Sequence, residues 1–132
     1  MPFTTKYDAR KNTVFHRGTG DIVIEDIMSE LKQLFQDYAG KHSVWDLRNA
    51  DISKISSTNV SSSIPLVKAN AKLKENTKTA WVTSRLCDFG LCRMTKMRSD
   101  SLPYKRRVFK TMAEALAWID GTDEISDCHP RG

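Results

Sequence analysis

The sequence predicts an α/β domain: a five-stranded mixed sheet, with an N-terminal antiparallel hairpin and the remaining strands mainly parallel, flanked by four helices. Three observations predict it. Two β-leaning runs stand first, separated only by Lys11-Asn12. Short β-branched or aromatic runs then alternate with stretches whose apolar residues recur at three- and four-residue steps. The last third, Lys78 to Asp120, reads strand, helix, strand, helix, and its final helix carries a clear start signal.

Residues 3–8 and 13–17 form the predicted hairpin; Thr13, Val14, Phe15 and His16 suit a pleated surface. Gly18-Thr19-Gly20 is read as the break after it, with Asp21 capping the next helix and Glu25 and Asp26 at its positive end. Val23, Ile24, Ile27, Leu31, Leu34, Phe35 and Tyr38 make an amphipathic stripe that Gly40 ends. Residues 43–48 are the third strand, followed by a polar, serine-rich stretch. Val60, Ile64, Val67, Ala71 and Leu73 give a second stripe. Pro65 suits a first turn, so this helix is expected to start near Ser63, with residues 57–62 as a separate turn.

Residues 79–83 suit a central strand, and Ser84 is the expected cap of a helix whose inner face is Leu86, Phe89, Gly90, Met94 and Met97. Residues 106–109 form the last strand. Thr111 and Glu114 then make a capping box, Met112, Ala115, Leu116 and Ile119 face inward, Trp118 lies at one edge, and Gly121 stops the helix.

At 132 residues the chain has the size of one domain with one core. That domain is placed over residues 1–121, with a polar C-terminal tail over 122–132. No apolar run of about 18 residues exists to span a membrane. The start, MPFTTKYDAR, lacks the apolar core of a signal peptide, so the expected location is the cytoplasm, with peripheral membrane contact as an addition. Cys87, Cys92 and Cys128 have neither disulfide nor zinc spacing, and no metal or cofactor is expected. Residues 68–110 hold twelve Lys/Arg against three acids, a net of +9, so a basic face is expected that attracts anions. Nucleic acid is not the expected partner, because charge alone supports it, without an RNP pattern or a helix-turn-helix signal.

Several segments together carry a family resemblance. They are Val44-Trp45-Asp46-Leu47-Arg48-Asn49-Ala50-Asp51, Ala80-Trp81-Val82, Phe89-Gly90-Leu91-Cys92-Arg93-Met94, Arg107-Val108-Phe109-Lys110 and Glu114-Ala115-Leu116-Ala117-Trp118-Ile119. Over roughly residues 10–120 the chain resembles the SpoIIAA-like proteins, small bacterial relatives of STAS domains. The resemblance implies a sheet of about five strands flanked by helices, as in STAS and the CRAL-TRIO lipid-binding domains. It implies a protein-binding or small-ligand-binding module, and the CRAL-TRIO parallel implies lipid or membrane contact. Anti-sigma-factor antagonists carry Asp-Ser-Ser-Gly after the strand matching Val44–Leu47, with a phosphorylated serine. Here Ser56 and Ser57 are present, but the aspartate and the glycine are not. The two serines are candidate phosphoacceptors and, read plainly, helix caps.

Candidate chemistry is sparse. Gly18-Thr19-Gly20 lacks the third glycine of a dinucleotide fingerprint. His16, His42 and His129 form no metal or triad spacing, and no G-x-S-x-G elbow raises a serine. The expectation is therefore non-catalytic. In open parallel sheets ligands sit beyond the carboxyl ends of the strands. Those ends offer Asp46, Arg48, Ser84, Arg85, Asp88 and Lys110 to a small or lipid-like anionic ligand. The helix bearing Phe89, Arg93, Met94 and Met97 is the expected membrane or partner surface. A protein partner, in a switch of the anti-sigma-antagonist type, is the alternative, and a second copy of the chain is a candidate partner.

Overall fold

The computed structural model describes residues 2–83 and 104–121. Its strands are β1 (Phe3–Asp8), β2 (Thr13–Asp21), β3 (His42–Asp51), β4 (Lys78–Val82) and β5 (Lys105–Phe109). They form one sheet in sequence order; β1 pairs antiparallel with β2, and the other pairings are parallel. This is the predicted sheet. Three α-helices stand among the described residues, α1 (Ile24–Asp37), α2 (Ser57–Ala69) and α3 (Met112–Asp120), with a short 3-10 turn at Ala71–Lys74. The fourth expected helix, over residues 86–97, and the polar tail over 122–132 lie outside the described residues.

Strand alternation assigns each side chain to a face. Val14, Ser43, Thr79 and Arg106 form one cross-strand row, and His16, Trp45, Trp81 and Val108 the next. This face is covered by α1 and α2, through Leu31, Leu34, Phe35, Leu66 and Val67. The opposite face presents Val44, Ala80, Val82 and Phe109 to Ala115, Trp118 and Ile119 of α3. Covered on both faces, β3 is buried continuously from Ser43 to Leu47, as a central parallel strand must be.

Helix α3 has the ends that its sequence signals, but only half of the predicted box forms, since Glu114 Oε1 accepts from the Thr111 hydroxyl at 3.0 Å and not from its amide. Thr111 Oγ1 accepts from the Glu114 amide at 3.2 Å, and Gly121 closes the helix at φ +80°. Trp118 is buried rather than at an edge, while Leu116 is only half-buried.

Two stretches correct the sequence reading. Gly18-Thr19-Gly20 does not break β2; the strand runs on to Asp21 beside β3, with a register shift between Arg17 and Thr19. Asp21 therefore caps nothing, and α1 begins after Val23, whose amide donates to Asp26 Oδ2 at 3.0 Å. Glycine is needed at 18 for space: a Cβ there would stand 2.6 Å from Ile22 Cδ1 and 3.1 Å from Phe3. The second correction concerns α2, which is one helix from Ser57 with Pro65 in its interior. Ser56 starts it, its Oγ accepting from the Asn59 amide at 3.1 Å while Asn59 Oδ1 accepts from the Ser56 amide at 3.0 Å. Packing of Leu66 and Val67 outweighs the proline penalty, and Pro65 lies on the exposed side. Beyond Ala69 the stripe holds at Ala71, which is buried in the 3-10 turn, and fails at Leu73, which is exposed.

Gly18→Ala is expected to lower unfolding free energy by about 1–2 kcal/mol, because the added methyl group would crowd the fully buried Ile22 and the Phe3 ring. Urea denaturation checks it, and a variant as stable as the parent would contradict the close packing.

Candidate functional site

Two of the residues expected at the strand ends meet each other. Arg48 Nε donates to Asp46 Oδ1 and Nη2 to Oδ2, both at 2.9 Å, with Arg17 Nε 3.8 Å from Oδ2. Burial would raise the Asp46 carboxyl, but this bidentate pairing outweighs it and holds the carboxyl below its ordinary value. Lys110 is exposed at the end of β5. Ser84, Arg85, Asp88, Phe89, Arg93, Met94 and Met97 lie outside the described residues. Ser56 is the exposed N-cap of α2, and of Ser57 only its place as the first residue of α2 is described.

A concave feature lined mainly by apolar residues lies elsewhere, between α1, α2 and the sheet. A partly open cavity of about 70 Å³ is walled by Ile24, Ile27, Leu31, Trp45, Leu47, Ile52, Ile55, Val67 and Trp81, among others. Its polar lining is mainly Lys74, Thr79, Tyr104 and Arg106. Register explains this two-sided character. Thr79 and Arg106 belong to the first row, at the amino ends of the parallel strands, and Lys74 stands just before β4. Leu47 stands in the second half of β3, and Ile52 and Ile55 lie beyond its carboxyl end. The cavity is thus basic at the amino ends and apolar towards the rim that the sequence singles out.

Lys74 is 1% exposed. Its Nζ donates to the Lys41 carbonyl, and among the described residues it has no ion pair. Burial pushes this ammonium down to about 8. Behind Trp45 lies a second polar group. His16, fully buried, stacks on Trp45 with ring centroids 4.3 Å apart, and Trp45 stacks on Trp81 at 5.0 Å. His16 Nδ1 is 2.6 Å from Glu30 Oε2, which also accepts from Thr5 Oγ1. Burial would raise Glu30, but the bonds from His16 and Thr5 hold it below its ordinary value. Burial lowers His16 by more than Glu30 raises it. The pair is therefore a carboxylate and a neutral imidazole, with the proton on Nδ1 because a carboxylate only accepts. The Trp81 indole N–H is buried with no acceptor among the described residues.

Sequence reading missed Lys74, Glu30, Tyr104 and Arg106. A signal existed for Glu30, which stands three residues after Ile27 and four before Leu34, on the apolar stripe of α1. None existed for Lys74, one of several lysines in a basic run. No cluster of three or more His, Cys, Asp or Glu suited to a metal occurs among the described residues, and no described helix is long and apolar enough to cross a membrane.

No family model matches the chain, and no curated protein matches it. Among solved structures, an uncharacterised protein of the DUF3478 family with a SpoIIAA-like fold, from Shewanella loihica PV-4, is similar with a TM-score of 0.57. The two are 14% identical, over 89% of this chain and 91% of that one. The likeness concerns the fold: this chain has a SpoIIAA-like α/β fold, as its Trp45, Trp81 and Trp118 segments imply.

Lys74 sets a pH dependence with a definite sign. Below about pH 8 folded and unfolded chains both carry its proton, and the folded chain bears the cost of a buried ammonium, about 3 kcal/mol. Between about 8 and 10.5 the folded chain has released a proton that the unfolded chain keeps, so stability rises with pH. Tyr104, raised by burial, opposes this only above its ordinary value of 10.0. Urea denaturation is expected to show a gain of about 2 kcal/mol from pH 7 to pH 9.5 that is absent in Lys74→Met. A flat profile in the parent would contradict the burial of a charged Lys74.

Proposed function

We propose that the protein is a non-catalytic binding module for a small amphipathic anion, a carboxylate with a short apolar tail, held in the cavity beneath α1 and α2. One observation carries this reading: an apolar cavity ends at a buried cation, Lys74, that no described carboxylate neutralises. Arg106 lines the same cavity and adds positive charge. A ligand carboxylate would recover part of the cost of burying Lys74, and its tail would replace water along Ile24, Leu31 and Val67.

Volume selects the tail length. An apolar cavity of ~150 Å³ takes one benzene. This one, at about 70 Å³, encloses only about three heavy atoms, so a short acid such as pentanoate would place its remaining carbons in the partly open mouth, and a full acyl chain would need α2 to move outward. The membrane-surface reading rests on Phe89, Arg93, Met94 and Met97, outside the described residues. Sedimentation with anionic liposomes at low salt separates the two, since a cavity binder of short acids stays in the supernatant.

Pentanoate at about ten times its Kd is expected to raise Tm by about 4 °C. Uncharged 1-pentanol should do less, and Lys74→Met should abolish the pentanoate effect. Equal shifts from acid and alcohol, or none from either, would remove this reading.

A second reading, a protein-interaction switch, is favoured by the position of Ser56, exposed at the N-cap of α2 just beyond the central strand. A phosphate there would meet the positive end of the helix but displace the Asn59 bond. Mass spectrometry of protein from the native host is expected to find phosphate on Ser56 or Ser57 if the switch operates. Unmodified serines with no co-purifying partner would remove it.

A further inference from the structure

Lys74 is the side chain whose burial the fold itself leaves unexplained. It is 1% exposed, yet it lines a cavity that is partly open to solvent. Glu30, the buried acid of α1, is engaged by His16 and Thr5. The titratable groups within electrostatic reach of Lys74 include His16 and His42, both held below their ordinary values with burial as the main cause. Both are neutral near pH 7, and neither supplies a countercharge. Tyr104 and Arg106 line the same cavity and are donors as well. The environment therefore favours loss of a proton from the amine, and it offers N–H and O–H donors to an incoming oxygen.

We propose that Lys74 is a nucleophilic lysine that captures the carbonyl carbon of a short-chain oxo acid as an imine inside this cavity. The proposal rests on the anion-binding reading and narrows it to one ligand class. The neutral amine's lone pair forms a bond to the carbonyl carbon, and the displaced carbonyl electron pair takes up a proton on oxygen. The carbinolamine then loses this oxygen as water and the nitrogen gives up its remaining proton. Amine and carbonyl become imine and water, with no change of oxidation state and no co-reactant. Hydrolysis reverses the step, so the lysine is a site of reversible covalent capture.

Selectivity follows from protonation. With its proton affinity pushed down to about 8, Lys74 is neutral in roughly a tenth of molecules at pH 7. An ordinary lysine is neutral in about one of 2,500. Lys32, Lys54 and Lys72 are all exposed and serve as accessible references.

The test uses the full chain at pH 7 with 2-oxopentanoate and sodium cyanoborohydride, which reduces an imine to a stable amine. Intact mass and peptide mapping then locate the adduct. Among the lysines one adduct is expected, on Lys74, forming at least tenfold faster than on any exposed lysine and slowed at least tenfold by excess pentanoate. Protection by pentanoate is measured on the parent chain, so the result does not depend on whether Lys74→Met folds. Adducts spread over Lys32, Lys54 and Lys72 with Lys74 unmodified would overturn the proposal. Labelling of Lys74 that pentanoate leaves untouched would overturn its assignment to an acid-binding cavity. The pentanoate melting shift decides the binding reading separately: a shift with Lys74 unlabelled leaves that reading standing and removes only the covalent step.

Discussion

His16, Trp45 and Trp81 occupy one row across β2, β3 and β4, and most of the described structure can be traced to that row. Parallel pairing without slippage puts the three rings in line, and the stacking distances of 4.3 and 5.0 Å show that they touch face to face. A slip of one residue in β3 would send Trp45 to the opposite face and bring Val44 or Asp46 into the row. Phe3 closes the stack edge-on from β1, with its ring 5.5 Å from Trp45. The hairpin, the central strand and the α1 cover thus share one contact.

The same register creates the uneven cavity. One row nearer the amino ends, Ser43 and Thr79 hydroxyls bond at 3.1 Å and Arg106 follows on β5. A polar row therefore lies directly beside an aromatic one, and the 3-10 turn before β4 delivers Lys74 next to it. A sheet that served stability alone would gain by an apolar residue at 74, since an uncompensated buried ammonium is costly. On the proposed reading, the charge at the end of an apolar cavity would direct a bound acid, head group towards the strand starts and tail towards Ile52 and Ile55. The bidentate pairing of Asp46 with Arg48, in the interior of β3, engages the charges that strand-end reasoning offers to a ligand.

The sheet and α3 were legible because their signals are local. A short β-leaning run marks β3, and Thr111 and Gly121 mark the two ends of α3. Gly18-Thr19-Gly20 misled because glycine usually punctuates a strand; here the packing of Ile22 and Phe3 demands a missing side chain inside one. Pro65 misled because the helix it interrupts is stabilised by a cap nine residues earlier and by packing against α1. The cavity was not legible at all. Lys74, Tyr104 and Arg106 are far apart in sequence from Ile24 and Ile52, and only the pairing of β3, β4 and β5 brings them to one space. Glu30 was half legible, since its position on the apolar stripe was visible but its partners His16 and Thr5 were not.

The central claim is that an acid enters between the tryptophan row and α2. The chain has three tryptophans, and they divide cleanly: Trp45 and Trp81 line the cavity, while Trp118 packs on the other face of the sheet. Their indole N–H resonances in a proton–nitrogen correlation spectrum, followed while pentanoate is added, report the site most directly. The account predicts that Trp81 and Trp45 shift in a saturable way and that Trp118 stays in place. Three unmoved signals, or movement of Trp118 alone, would contradict it.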